Sequence, residues 1–219
     1  MTQATPSNRA PNNGFRSSTR PTLLMTGHKT PIYTIGYGDR GFSDFVRLLD
    51  QYSARYVLDV RSSPFSKYQA DFTRDRLKAL LRSEGITYGF FGDLMGGRPN
   101  NAACYVDGIV YYDACRATSE FKQGIARLVE AVTKGHVVAL MCSELKPQDC
   151  HRSKMIGVGL DAVGLAVIHI DENGKPKSQS DVMSCIAAKQ FDLFSGTAAT
   201  GLTSRKKYTL RGDDDYNDC

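Results

Sequence analysis

The chain has 219 residues, of which 41% are hydrophobic and 23% are charged, and its formal net charge is +5. These values are typical of a soluble globular protein with one well-buried domain and some residues left for tails. No apolar run approaches the roughly 20 residues that a membrane-spanning helix needs, so we expect no membrane partner. The net charge is compatible with a polyanionic partner but does not require one.

The N-terminal residues 1–29 are basic, contain no acidic residue and are rich in Ser, Thr, Pro and Asn. Their only apolar stretch is the short one at 23–25, which is unlike the apolar core of a secretory signal. We therefore interpret residues 1–29 as a disordered basic tail. Without a secretory signal, the six cysteines are expected to be free thiols in a reducing cytoplasm.

The rest of the chain alternates between short strands and single helices. In chain order, the pattern predicts a strand at 31–38, a helix from Ser43, a strand within 54–63, a helix from Thr73, a strand at 86–91, a long loop at 92–113, a helix from Thr118 or Ser119, a strand at 136–142, a helix from Asp149 to about Val163, a strand at 166–170 and a helix at 181–190. Each helix start has a capping residue followed by apolar residues at helical spacing. The nearly continuous apolar run HVVALMC at 136–142 is typical of a strand in the middle of a parallel sheet.

Strands that alternate with single helices form βαβ units and hence a mostly parallel sheet. We therefore predict an α/β fold in which a sheet of about five strands has helices on both faces, a Rossmann-like three-layer sandwich, in a single domain at 30–194. Residues 195–219 are rich in Gly, Thr and Ala and then charged, and they are predicted to be a flexible C-terminal tail. The sequence contains neither a complete dinucleotide-binding glycine loop nor a Walker loop, so no cofactor is predicted.

In such sheets, functional residues usually lie beyond the carboxyl ends of the strands. This rule indicates the stretches 36–40, 59–67 and 142–152. The last of them, CSELKPQDCHR, is compatible with a metal site, a disulfide, a thiol nucleophile or an anion-binding turn.

A metal site at 142–152 is not predicted. Structural zinc sites use two pairs of ligands, whereas Cys142 and Cys150 are eight positions apart and no second Cys/His pair occurs elsewhere. The adjacent residues Cys150 and His151 are also not expected to face one ion. A disulfide between Cys142 and Cys150 is an alternative, and in a reducing compartment it would be regulatory or catalytic.

A thiol-dependent catalytic site would use Cys150, Glu144, His151 and Cys142. We expect Cys150 in the first turn of a helix, where the helix dipole favours the thiolate. Glu144 would raise the pKa of Cys142, and Glu144 could itself serve as a general base. The Cys-x5-Arg spacing of phosphatases is absent, because Gln148 stands where the arginine would be. Alternatively, both cysteines are small buried apolar residues without a chemical role.

An anion-binding crevice would use the same strand ends. The candidate binding residues are Arg61, Ser63, Ser66, Lys67, Arg152, Tyr37 and Asp59. Arg61 and Arg152 are expected to face one crevice and to bind phosphate, and Tyr37 offers a stacking face for a base. The alternative for Asp59 and Arg61 is a structural ion pair.

Four ordered motifs, TIGYGDRGFSDFVRLL, LDVRSSPFSKYQADF, ITYGFFGDLMGG and MCSELKPQDCHRSKMI, resemble the family called domain of unknown function 488 over about residues 31–170. One departure is Met95, which stands directly before the glycines where the family commonly has leucine. The resemblance implies an α/β sandwich but no particular activity. The motif positions that it singles out are Asp59, Arg61, Cys142, Glu144, Cys150, His151 and Arg152.

The sequence favours an enzyme that acts on a nucleotide or nucleic acid. In this hypothesis Arg61 and Arg152 bind phosphate, while Cys150, Glu144 or His151 carries out proton or thiol chemistry. A non-catalytic nucleic-acid-binding module is one alternative. A thiol-based redox or metal-responsive protein is the other, and no oligomeric state is predicted.

Overall fold

The computed structural model describes Met1 and residues 30–190 and 201–210. Apart from Met1, the predicted tail at 1–29 lies outside the described residues, as do residues 195–200 and 211–219 of the predicted C-terminal tail.

The described residues form nine strands, which are β1 (Ile32–Gly36), β2 (Tyr56–Asp59), β3 (Thr87–Phe90), β4 (Tyr105–Val106), β5 (Ile109–Tyr111), β6 (Val138–Cys142), β7 (Val167–Ile170), β8 (Pro176–Ser178) and β9 (Thr203–Lys207). The α-helices are α1 (Phe42–Gln51), α2 (Arg74–Ser83), α3 (Gly92–Met95), α4 (Tyr112–Ala117), α5 (Ser119–Thr133), α6 (Val158–Ala162) and α7 (Gln179–Gln190).

The main sheet has six strands in the order β3-β2-β6-β1-β7-β8. Its first five strands pair in parallel, and β8 pairs antiparallel to β7 at one edge. The predicted Rossmann-like α/β fold with a mostly parallel sheet is confirmed. Because β1, β2 and β6 are neighbours, their carboxyl ends and the loops that follow them meet at one edge of the sheet.

The central strand β6 shows how the sheet separates two hydrophobic clusters. Successive side chains of a strand point to opposite faces, so Leu140 and Cys142 face one side while Ala139 and Met141 face the other. The helices α1 and α2 cover the Ala139 side, and α4, α5 and the helical segment at 152–162 cover the Cys142 side. Cys142 is therefore directed toward the segment that contains Cys150 and His151.

The helices begin close to where the capping residues predict. Thr118 caps α5, because its side-chain oxygen accepts a hydrogen bond from the backbone N–H of Phe121 at 3.2 Å. Thr73 precedes α2 but makes no side-chain capping bond, and α1 begins one residue before Ser43. No helix among the described residues is long and apolar enough to cross a membrane.

The predicted loop at 92–113 and part of the predicted C-terminal tail contain a second sheet, which is a difference from the sequence analysis. This sheet has the order β4-β5-β9, with β9 antiparallel to β5. Ser204 lies in β9, and its buried side chain accepts a hydrogen bond from the backbone N–H of Val110 at 3.0 Å. These bonds hold residues 203–207 against the domain rather than in a flexible tail.

The predicted helix at 149–163 is not uniform. A short 3-10 turn at Pro147–Asp149 is followed by a π-helix at Arg152–Gly157 and then by α6. Wide π-helical turns of this kind are rare and often occur at functional sites.

His169 lies in a buried polar network at the centre of the fold. Gln179 donates through Nε2 to the carbonyl of Ser153 at 3.1 Å, so it presents Oε1 to His169 Nε2 at 2.6 Å. His169 Nε2 therefore carries the proton, and Nδ1 accepts a hydrogen bond from the Thr34 hydroxyl at 2.7 Å. Burial lowers the pKa of this fully buried imidazole from 6.5 to about 4.

The low pKa of His169 makes stability depend on pH. The unfolded chain takes up a proton near pH 6.5 and the folded chain near pH 4, so the stabilisation is fully present above pH 6.5 and is lost as the pH falls toward 4. We expect His169 to account for about 2 kcal/mol of lost unfolding free energy between pH 7 and pH 5. Urea unfolding at both pH values, for the wild type and for His169→Asn, measures this loss; equal losses in the two proteins would contradict the assignment.

Candidate functional site

A cavity of about 400 Å³ opens at the carboxyl ends of β2 and β6. Its lining comes from the loop after β2, the loop after α3, the start of α4, the turn after β6, and β9 with the residue that follows it. The lining residues are Arg61, Ser62, Ser63, Gly97, Arg98, Tyr112, Cys142, Ser143, Glu144, Asp149, Cys150, His151, Arg205, Lys206 and Tyr208.

Cys142, Cys150 and His151 form a compact cluster in the wall of this cavity. The Nδ1 atom of His151 lies 3.9 Å from the Cys142 sulfur and 3.7 Å from the Cys150 sulfur. The donor atoms of the three residues all lie within 4.8 Å of one another. The three residues are buried, with exposed fractions of 4%, 1% and 8%.

Cys150 and His151 face one common centre, and the prediction from the sequence that they would not is wrong. Cys150 has an extended backbone conformation, with φ −115° and ψ 150°, whereas His151 is already helical, with φ −62° and ψ −23°. This change of conformation between neighbours turns both side chains toward Cys142 at the end of β6. Cys150 therefore precedes the helical segment instead of lying in its first turn.

The orientation of His151 is set by the carbonyl oxygen of Val60, which lies 3.1 Å from Nε2. Because a carbonyl oxygen can only accept a hydrogen bond, Nε2 carries a hydrogen. Nδ1 is therefore the nitrogen that faces the two sulfur atoms, and it has a free lone pair whenever the ring is neutral. His151 can accept a proton from a thiol or act as a ligand through this atom.

The two thiols differ in acidity. A hydrogen bond from the Cys150 thiol and the interaction with His151, with a smaller contribution from the backbone N–H of Glu144, outweigh the effect of burial and hold the pKa of Cys142 well below its ordinary value. Burial and the neighbouring Cys142 sulfur raise the pKa of the Cys150 thiol well above its ordinary value. This order is opposite to the one expected from the sequence, which placed the thiolate on Cys150.

Glu144 does not contact the cluster through its carboxylate. One carboxylate oxygen lies 2.6 Å from the guanidinium of Arg205, and Asp149 lies 3.8 Å from the same side chain. The negative charge that the sequence analysis placed beside Cys142 is therefore compensated by Arg205 in β9.

Two glycines of the sequence motifs make room for the cluster and its supporting turn. A Cβ atom on Gly97 would lie 2.8 Å from Nδ1 of His151, so a larger residue would displace the ring. A Cβ atom on Gly36 would lie 1.9 Å from the carbonyl oxygen of Glu144. These close approaches explain why glycine occupies both positions at the strand ends.

Arg61 lines the cavity but is occupied by protein groups. Its Nε and Nη2 donate to the carboxylate of Asp59 at 2.9 and 2.6 Å, and Nη1 donates to the Tyr37 hydroxyl at 3.2 Å. Burial lowers the pKa of Arg61, but the hydrogen bond and charge of Asp59 outweigh this effect and hold the pKa above its ordinary value. Asp59 and Tyr37 do not line the cavity, so the structural ion pair that the sequence left open describes this group.

Arg152 does not face the same crevice as Arg61, which corrects the sequence interpretation. Arg152 is fully buried, donates through Nη2 to the carbonyl of Leu145 at 2.8 Å, and is directed toward Gly36 at the end of β1. Its Nε and Nη1 atoms have no hydrogen-bond partner among the described residues. Adjacent helical residues point about 100° apart, so His151 and Arg152 diverge.

The other candidate binding residues lie in the loop after β2, and only one of them reaches the cavity. Ser63 lines the cavity, whereas Ser66 and Lys67 do not. Ser66 accepts a hydrogen bond from the backbone N–H of Gln69 at 3.3 Å, and Lys67 lies over the ring of Tyr68.

Sequence reasoning missed the basic and aromatic side of the cavity. Arg98 follows the two glycines of a recognised motif, and its guanidinium lies 5.1 Å from the centre of the Tyr208 ring. Lys206 lies in β9, within the stretch that was predicted to be a flexible tail. Tyr112, at the start of α4, also lines the cavity. Burial raises the pKa of its phenol, which stays protonated and can donate a hydrogen bond.

Comparisons with known proteins show the family. Residues 42–157, more than half of the chain, match the sequence profile of the family described as Domain of unknown function DUF488. No curated protein and no solved structure gives a significant match. The chain therefore belongs to the DUF488 family.

Proposed function

We propose that the chain is an enzyme that acts on a nucleotide or nucleic acid, with Cys142, Cys150 and His151 as its reaction centre. The observation that supports this proposal is that the cluster lines the same cavity as Arg98 and Lys206. Nucleophilic groups and cationic groups that share one cleft are typical of an active site for an anionic substrate.

The phosphate group is assigned to Arg98 and Lys206. Arg61 is engaged by Asp59 and Arg205 by Glu144, so these two guanidinium groups already have carboxylate partners. Lys206 is exposed, and none of the described carboxylates forms an ion pair with it. Its ammonium group is therefore the cation in the cavity that is best placed to bind a phosphate oxygen.

The size and lining of the cavity support a nucleotide rather than inorganic phosphate. A volume of about 400 Å³ falls within the range of small-molecule sites. Tyr112 and Tyr208 add aromatic surface and hydroxyl groups beside the cations, as base or ribose recognition requires.

The reaction chemistry is assigned to the buried cluster rather than to Glu144. A sulfur of Cys142 or Cys150 is the nucleophile, and His151 Nδ1 is the atom that exchanges a proton with it. Glu144 suits proton transfer less well, because Arg205 holds its carboxylate at 2.6 Å. The five described cysteines are all unpaired, and a reducing cytoplasm is the compartment that suits such a site.

Substrate binding can be tested with two neighbouring lysines. Lys206 lines the cavity, whereas Lys207 is the next residue of the same strand and does not. We expect Lys206→Ala to weaken binding of ribonucleoside phosphates about tenfold, because it removes one hydrogen bond to a charged group. Isothermal titration calorimetry with nucleoside mono-, di- and triphosphates measures the change, and Lys207→Ala is the matched control with the same loss of charge.

Equal effects of the two lysine substitutions would show a general attraction of anions and would contradict a phosphate site in the cavity. The same titrations with single-stranded RNA and DNA separate nucleotides from nucleic acid. For an oligonucleotide, Lys206→Ala should also reduce the slope of log affinity against log salt concentration by about 1.

Turnover can be tested with two cysteine variants. We expect Cys142→Ser to lower kcat/KM at least about 100-fold for the nucleotide or oligonucleotide that binds, because it removes a sulfur of the reaction centre. Cys185→Ser, which changes an exposed free cysteine in α7, should leave turnover unchanged. Liquid chromatography with mass spectrometry identifies the product. Salt-dependent binding in which the nucleic acid stays chemically unchanged would favour the non-catalytic binding module instead.

A further inference from the structure

The spacing of the sulfur and nitrogen atoms in the cluster matches the coordination shell of a metal ion. A tetrahedral zinc ion with Zn–S bonds of about 2.3 Å and a Zn–N bond of about 2.0 Å places sulfur and nitrogen ligands about 3.5 Å apart. The corresponding distances from His151 Nδ1 to the sulfurs of Cys142 and Cys150 are 3.9 and 3.7 Å. Shifts of a few tenths of an ångström would therefore bring the three side chains to zinc-binding distances.

The hydrogen-bond partners of the three side chains also match those of ligands in a metal site. Metal-bound histidines usually donate their other ring N–H to a carbonyl or carboxylate, and His151 donates Nε2–H to Val60 at 3.1 Å. The backbone N–H of Arg152 lies 3.5 Å from the Cys150 sulfur, and the backbone N–H of Glu144 donates to the Cys142 sulfur. These bonds orient all three donor atoms in advance and stabilise negative charge on the sulfurs.

The charges of the ligand set suit a divalent cation. Without a metal ion the Cys150 thiol keeps its proton and donates a hydrogen bond to the Cys142 sulfur, so metal binding would release this proton. The nearest acidic residues, Glu144 and Asp149, are turned toward Arg205 and do not supply ligands in this arrangement. A divalent cation held by two thiolates and one neutral imidazole gives a site with no net charge.

We propose that Cys142, Cys150 and His151 bind one Zn²⁺ ion whose fourth coordination position is open to the cavity. Thiolate and imidazole ligands select zinc over hard cations such as Mg²⁺ and Ca²⁺, which need oxygen ligands. Three protein ligands and one open position are typical of a catalytic zinc site rather than a structural one. The proposal rests on ligand geometry and does not depend on the substrate proposed above.

The zinc site would change the role of the sulfurs in catalysis. When bound, zinc would polarise a substrate oxygen or activate a water at the open position, and the two sulfurs would serve as ligands instead of nucleophiles. Arg98 and Lys206 would keep their role, since they lie in the same cavity but outside the cluster.

Cobalt binding by the full-length chain tests the site without any substrate. The protein is reduced, freed of metal with a chelator and titrated with Co²⁺, whose thiolate complexes absorb in the near ultraviolet. We expect one Co²⁺ per chain, with this absorption and the visible bands of tetrahedral cobalt, displaced by one equivalent of Zn²⁺. Zinc should also be present at one equivalent, by elemental analysis, in protein purified without chelator.

Ligand variants assign the bound ion to the cluster. Cys142→Ser and Cys150→Ser should each reduce the thiolate-to-cobalt absorption to about half, and each variant and His151→Ala should weaken binding at least about 100-fold. Cys115→Ser and Cys185→Ser, which change free cysteines outside the cluster, are the controls and should bind like the wild type. Circular dichroism confirms that each variant is folded, and any one folded variant of the three ligands is enough for the comparison.

Two results would overturn the metal site. One is reduced wild-type protein that binds no more Co²⁺ than the ligand variants; the other is a cobalt spectrum that the ligand variants leave unchanged. Loss of two thiols from the wild type under mild oxidation, without metal binding, would indicate a Cys142–Cys150 disulfide instead. Metal binding with no nucleotide binding would reject the proposed substrate but keep the zinc site, whereas nucleotide binding and turnover without metal would reject the zinc site and keep a sulfur as the nucleophile.

Discussion

The buried ion pair between Asp59 and Arg61 fixes the strand ends on which the cavity is built. Asp59 accepts hydrogen bonds from Arg61 and from the Tyr88 hydroxyl in β3, while Arg61 also donates to Tyr37 after β1 and to the carbonyl of Phe72 before α2. One guanidinium–carboxylate group thus joins segments that follow or flank three strands. Removal of one partner from such a buried pair typically costs about 3–5 kcal/mol, because the other charge is left without compensation.

The ion pair also leaves Arg61 without a free guanidinium nitrogen for the proposed substrate. Each nitrogen of its guanidinium already has a protein acceptor. A substrate phosphate would have to displace Asp59 or Tyr37 and so disturb the contacts between the strand ends. Val60, between Asp59 and Arg61, accepts the hydrogen bond that orients His151, so the strand held by the ion pair also determines which nitrogen faces the two sulfurs.

The fold could be predicted from the sequence because its signals are local. The apolar run of β6, the alternation of strands and helices, and the cap at Thr118 each depend on residues that are close in the chain. The carboxyl-end rule for parallel sheets then located Cys142, Glu144, Cys150 and His151 at the cavity without knowledge of the strand order.

The missing parts of the site depend on contacts that no local pattern records. β9 pairs with β5 across about 90 residues of sequence, and its Arg205 neutralises Glu144. The direction of a side chain at a helix start also depends on the φ and ψ angles of a single residue. The extended conformation of Cys150 brings it beside His151, and the next residue, Arg152, points elsewhere. Residue types at 142–152 therefore identified the residues of the cluster but not their arrangement.

The cavity separates two kinds of side chains by depth. Its sulfur and imidazole groups are almost completely buried, whereas Arg98 is half-buried and Lys206 is exposed. In the proposed function, charged phosphate oxygens would remain partly hydrated at the level of Lys206, where their desolvation costs less, while the reacting atom would reach the buried cluster. Electrostatic interactions are stronger in a buried position, so a small charge that develops on a reacting group would be stabilised more there than at the rim. The proposed phosphate-bearing nucleotide, with an anionic end and a separate reactive end, would fit this gradient.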